Sequence, residues 1–121
     1  MKESHYIAYD HWLKSHLQGT LWQSLERKKY LEACGQDVAI ELVQSESGEI
    51  LASALIAKDR GAAGSVWEVP RGPLWSNDEA CKKLLTKIID DAKKQGAIAL
   101  YVSPHISLPS PNPSPETGEG L

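Results

Sequence analysis

Apolar residues alternate with polar or small ones at Val38, Ile40 and Leu42, run nearly unbroken from Ile50 to Ala57, and return at helical spacing from Ala80 to Ala92. These three patterns predict a strand with one buried face, a strand covered on both faces, and an amphipathic helix. A short helix is expected over Tyr9 to His16, with Trp12 and Leu13 inward. A second runs from Thr20, whose spacing to Gln23 fits a capping box, to a stop at Gly35. Leu21, Trp22, Leu25 and Ala33 would share its apolar face, and Glu26, Arg27, Lys28 and Lys29 its solvated one. Ser65 to Val69 is rich in β-branched and aromatic residues and reads as a strand. The third helix, about Asn77 to Gln95, opens on a Ser76/Glu79 capping box and ends at Gly96. It would bury Ala80, Leu84, Leu85, Ile88, Ile89 and Ala92. Ala97 to Val102 reads as a final buried strand.

The order is α-α-β-β-β-α-β, an α/β (α+β) class in which a mixed sheet carries flanking helices. Turns are expected at Ser47-Gly48 and from Gly61 to Gly64. Residues 1–108 form one foldable unit. Pro109, Pro111, Pro113 and Pro115 alternate with Ser and Asn, so residues 109–121 are expected to be disordered. The last strand then has nothing after it to complete the sheet, which predicts an exposed apolar face and self-association.

Composition narrows the chemistry. The 121 residues carry a formal net charge of −3, which disfavours tight non-specific nucleic-acid binding through a general basic field. Cys34 and Cys81 fall in different predicted helices and read as reduced thiols. No signal-like apolar run opens the chain, and none reaches the roughly 20 residues of a membrane span, so a cytoplasmic location is expected. His5, His11, His16 and His105 lack metal-ligand spacing, so no metal is expected. Ser53 and Ser65 have no nucleophile setting.

One motif stands out. Pro70-Arg71-Gly72-Pro73 lies between a predicted strand and a capped helix, a crossing where α/β proteins often meet ligands. Two prolines stiffen it, and Gly72 keeps it sterically open. Arg71 is either a bidentate contact to phosphate or carboxylate or a structural tie to a helix end. Trp75 either lines a cleft or packs onto the helix start. Trp22 is either core or a stacking platform.

Leu17-Gln18 followed by Trp22 resembles the Leu-Gln-Ser-x-x-Trp signature of the FemABX family of peptidoglycan-bridge aminoacyltransferases. Pro70 to Pro73 resembles that family's Pro-Arg-Gly-Pro element, and Ala97 to Pro104 its following strand and proline. The resemblance implies a GNAT-like module, the first of the two that family members carry, incomplete at its C-terminal end. It implies transfer of an amino acid from aminoacyl-tRNA, a co-substrate, to the peptide stem of lipid II or its nucleotide-linked relative. No dissociable cofactor is implied, and catalytic residues are left unassigned. Contact with the inner face of the membrane follows from a lipid-linked acceptor. Arg71, Gly72, Trp75, Trp22, Arg27 and Lys28 become substrate-binding candidates, the last two standing near a lysine position of relatives. An acetyl-CoA-dependent N-acetyltransferase and a non-catalytic half-domain are the alternative expectations.

Overall fold

The computed structural model describes residues 3–16 and 21–104. Leu17, Gln18, Gly19, Thr20, His105 and the 109–121 tail, on which several expectations rest, lie outside the described residues. The elements are α1 (Glu3–Ser15), a 3-10 turn (Leu21–Gln23), α2 (Leu25–Ala33), β1 (Asp37–Gln44), β2 (Ile50–Gly61), β3 (Gly64–Pro70), β4 (Leu74–Trp75), α3 (Asp78–Lys94) and β5 (Ala97–Ser103). The sheet runs β1-β2-β3-β5, with β4 beside β2. β1, β3 and β4 are antiparallel to β2, whereas β5 is parallel to β3. α3 supplies the crossover that a parallel pair demands.

β2 is the central strand, and its residues are buried without interruption from Ala52 to Ala57. On one face Ala52, Ala54 and Ile56 meet Trp67, Val69 and the Ala80, Leu84, Ile88 and Ala92 stripe of α3. The alanines of β2 offer little bulk, which suits close packing of the helix. On the other face Leu31 of α2 packs with Val38, Leu55 and Ala57. Asp78 and Glu79 lie at the start of α3 and Lys93 and Lys94 at its end, matching the helix dipole. Gly35 and Gly96 follow α2 and α3 with φ of +89° and +76°, conformations that favour glycine.

Several expectations are corrected. α1 begins at Glu3 rather than Tyr9. α2 begins after Ser24, whose hydroxyl accepts from the Arg27 N–H at 3.0 Å, so Ser24 and not Thr20 caps it. That later start rotates the predicted apolar face. Leu21 is 71% exposed, Trp22 44% exposed and Ala33 exposed, while Leu31 alone in α2 is buried. Asn77, not Ser76, caps α3, accepting from Ala80 N–H at 2.8 Å. Ser76 instead donates its backbone N–H to Leu51 O at 2.9 Å, prolonging the pairing of β4. Ile89 faces outward, and Cys34 sits at the C-cap of α2 rather than within it. Among the described residues β5 is an edge strand, with Ile98 and Tyr101 exposed rather than buried. β4 was not foreseen.

Candidate functional site

The site grows from one local problem. Proline has no N–H to give a sheet, so a strand carrying Pro70 and Pro73 cannot run regularly beside a central neighbour. β3 pairs with β2 as far as Ala57↔Glu68, and pairing resumes at Ser53↔Leu74. Five residues, Val69 to Pro73, therefore stand opposite three, Ala54 to Ile56. The excess chain bulges out of the ladder. The Gly72–Pro73 bond is cis, and Arg71 adopts φ +56°, the left-handed region that a side chain such as arginine rarely enters. Holding a non-glycine residue there costs about 1–3 kcal/mol, and such residues cluster at functional sites. Arg71 is exposed, while Gly72 and Pro73 are buried.

Leu55 pairs with Ile40 of β1 on one side, and the bulge leaves its other side without a strand. Gln23 fills the place. Its Oε1 accepts from Leu55 N–H at 2.7 Å, and its Nε2 donates to Pro70 O at 2.6 Å and reaches Leu55 O at 3.4 Å. A carboxamide offers the same donor and acceptor as a peptide unit, so one side chain substitutes for the absent stretch of strand. Gln23 is completely buried. A Cβ on Gly72 would come within 2.7 Å of Gln23 Cδ. The space that Gly72 was expected to leave for a ligand is thus occupied by Gln23.

α1 closes the same region through polar contacts. Tyr9 donates its hydroxyl to Gln23 O. Trp12 Nε1 donates to Ser53 Oγ at 2.8 Å, and His16 Nε2 bonds Trp75 O at 3.0 Å. Tyr9 and Ser53 are fully buried. Burial pushes the Tyr9 phenol well above its ordinary value, with a smaller opposing effect from Ser53. Tyr9 thus stays a neutral donor.

Beside Gln23, Trp22 stands half out of the surface with the Arg27 guanidinium 4.5 Å from its ring centre; Tyr30 receives the same cation at 5.0 Å. Arg27 Nε is buried and has no hydrogen-bond partner among the described residues. Lys28 pairs with Glu32 at 3.0 Å and lies 5.6 Å from the Tyr6 ring centre. Trp75 is half-buried against the α3-side core. The structure therefore joins the Trp22 stretch to the Arg71-Gly72 stretch through Gln23, keeps Arg27 and Lys28 on the adjoining helix, and turns Trp75 to the opposite face of the sheet. A separate cavity of about 370 Å³ at the β2–β3 turn is lined by Lys58, Arg60 and Gln95 and contains none of the candidates. Among the described residues no group of His, Cys, Asp and Glu side chains is placed to hold a metal ion, and no helix is long and apolar enough to cross a membrane.

The residue that organises the site, Gln23, has in the sequence only the spacing of half a capping box with Thr20. A usable signal was present: two prolines bracketing a strand interruption imply unpaired groups on the neighbouring strand, and a buried amide is a natural partner for them.

The model of the FemAB family matches residues 6–117. A crystal structure of FemX superposes with a TM-score of 0.74 at 24% identity, over 84% of this chain and 26% of that one. The chain thus spans about a quarter of that relative. An acetyltransferase of Trypanosoma brucei gives a TM-score of 0.62 at 12% identity, covering 85% of this chain and 78% of that chain. A probable acetyltransferase gives 0.59 at 16%, over 83% and 73%. No curated protein matches in sequence. The acetyltransferase likenesses establish a GNAT-like fold and no more.

Proposed function

This chain belongs to the FemAB family, and we propose that it serves as an acceptor-binding module in transfer of an amino acid from aminoacyl-tRNA to the peptide stem of a peptidoglycan precursor. The observation that carries the reading is Arg71, an exposed cation held in a left-handed conformation on a bulge that the core fixes from below. Guanidinium groups suit phosphate and carboxylate oxygens, which the precursor offers in its diphosphate and its stem. Trp22, with Arg27 over its ring, provides a neighbouring aromatic and cationic surface for a nucleotide base. Lys28 adds charge to the same helix.

The reaction is aminolysis. The acceptor amine attacks the ester carbonyl, the tRNA ribose oxygen departs, and the amine proton passes to base or solvent. Such a step draws on a neutral amine, positioning of the two substrates and stabilisation of the oxyanion. The residues named here bind and orient; the rest of the machinery belongs to the remainder of a two-module enzyme. A cytoplasmic site, touching the inner membrane face where lipid II is presented, fits this chemistry.

The test is calorimetric titration with the nucleotide-linked muropeptide UDP-N-acetylmuramoyl-pentapeptide. We expect binding by the chain and at least a tenfold loss in Arg71→Ala; unchanged binding in a folded Arg71→Ala variant removes the reading. Aminoacyl transfer to lipid II, run beside an active two-module relative, decides whether this chain also catalyses. A second reading, a non-catalytic interaction module, is favoured by the β5 edge, which among the described residues no strand covers, with Ile98 and Tyr101 exposed. It predicts concentration-dependent self-association in sedimentation equilibrium, and a strict monomer excludes that surface as a self-contact.

A further inference from the structure

We infer that Gln23 is the positioning residue of this site: its carboxamide replaces the missing strand and thereby holds Arg71 outward in the geometry that meets an acceptor oxyanion. The inference rests on the acceptor reading of Arg71. Gln23 donates to Pro70 O, the carbonyl immediately before Arg71, and its amide fills the space against Gly72, the residue immediately after. Arg71 is therefore clamped on both sides by one side chain. Gln23 is itself fixed from two directions. Tyr9 donates to its carbonyl, and the following residue, Ser24, caps α2. A plug needed only to fill volume would be met by an apolar residue of similar size. The carboxamide instead satisfies Leu55 N–H and Pro70 C=O together, and an apolar substitute would leave both unpaired.

The same architecture makes opposite-sided perturbations possible. Gln23→Met removes the amide while keeping its length. Gly72→Ala drives a Cβ into that amide without altering Gln23 chemically. Both are expected to move the Arg71 backbone amide resonance, to speed hydrogen exchange at Leu55 at least tenfold, and to weaken binding of UDP-N-acetylmuramoyl-pentapeptide at least tenfold. Gln23→Met combined with Arg71→Ala is expected to lose no more affinity than Arg71→Ala alone, because both changes abolish one contact. Gln23→Ala combined with Gly72→Ala makes room for the new methyl group; it should recover melting temperature relative to Gly72→Ala alone but not recover binding.

Unchanged affinity in a folded Gln23→Met variant, or losses that simply multiply with Arg71→Ala, would show Gln23 to be structural only and overturn the inference. The unmodified chain supplies a check that needs no variant to fold. The Gln23 side-chain NH₂ must exchange slowly and show nuclear Overhauser contacts to Gly72 Hα; their absence overturns the clamp. If the unmodified chain binds no muropeptide, the acceptor reading fails, while an Arg71 amide shift in Gln23→Met still supports the clamp and its absence refutes it.

Discussion

The two faces of the central strand are built on different principles. Toward α3, β2 presents Ala52, Ala54 and Ile56 to Leu84 and Ile88, an apolar contact with no polar member among its buried residues. Toward α1 and α2 an apolar cluster of Leu31, Val38, Leu55 and Ala57 is joined, around the break, by the buried polar groups Ser53, Gln23 and Tyr9, each held by directional hydrogen bonds. Apolar burial is non-directional and grows with area removed from water, so the first face tolerates exchange of similar volumes. A buried polar network is favourable only when every member is satisfied, so the second face tolerates little. The fold obtains stability chiefly from the apolar contact with α3 and fixed geometry from the polar contacts at the break. The left-handed Arg71 lies on the second side of that division, at the break itself.

Substitutions on each face sharpen this contrast. Leu84→Ala, which opens a cavity under α3, should destabilise by about 2–5 kcal/mol in urea unfolding, while leaving muropeptide affinity unchanged in the folded fraction. Loss of affinity there would break the division between the faces. Gln23→Leu should cost about 1–3 kcal/mol for each buried group it leaves unpaired, and here affinity should fall as well. A stability loss without an affinity loss would make the polar face purely architectural. Asn77→Ala should cost about 1 kcal/mol through its lost cap, against a smaller loss for Ser76→Ala, reversing the order that sequence spacing implied.

Tyr9 gives a pH signature instead of a neutral-pH effect. Its folded-state pKa is raised by burial, so its contribution is complete below the unfolded value of about 10 and is lost as pH rises through the folded one. Unfolding measured from pH 8 to 11 should show stability falling above about 10, with a shallower fall in Tyr9→Phe. An identical slope in the variant would place the alkaline loss elsewhere. The smallest effect belongs to α2, where Lys28, expected on a solvated face, is largely covered and pairs with the exposed Glu32. Removing the Lys28–Glu32 pair should change stability by about 0.3–0.5 kcal/mol, reduced further by salt.

Much of the apolar face was legible in the sequence because its signals are local. The run from Ile50 to Ala57 announced a doubly covered strand, and the 80, 84, 88, 92 spacing announced the inward stripe of α3. The caps of α2 and α3 differ from expectation by four residues and one because several serine, threonine and asparagine candidates compete for each, and Ser24 and Asn77 won through geometry that spacing does not encode. The polar face was far less legible. Gln23 binds partners 32 and 47 residues away, and no local pattern reports so distant a pairing. Arg71 was visible as a cation on a stiff crossing, but its left-handed backbone follows from how the chain bulges between Glu68 and Leu74. Ile98 and Tyr101 looked buried because β5 has the composition of an inner strand, although it occupies an edge.

The most direct test of the account is a nuclear magnetic resonance titration of the isotope-labelled chain with UDP-N-acetylmuramoyl-pentapeptide. Saturable shifts are expected at the Arg71 and Gly72 backbone amides and the Trp22 indole, with the Leu84 and Ile88 amides still. Shifts confined to another surface, or none in a folded chain at millimolar ligand, would contradict it.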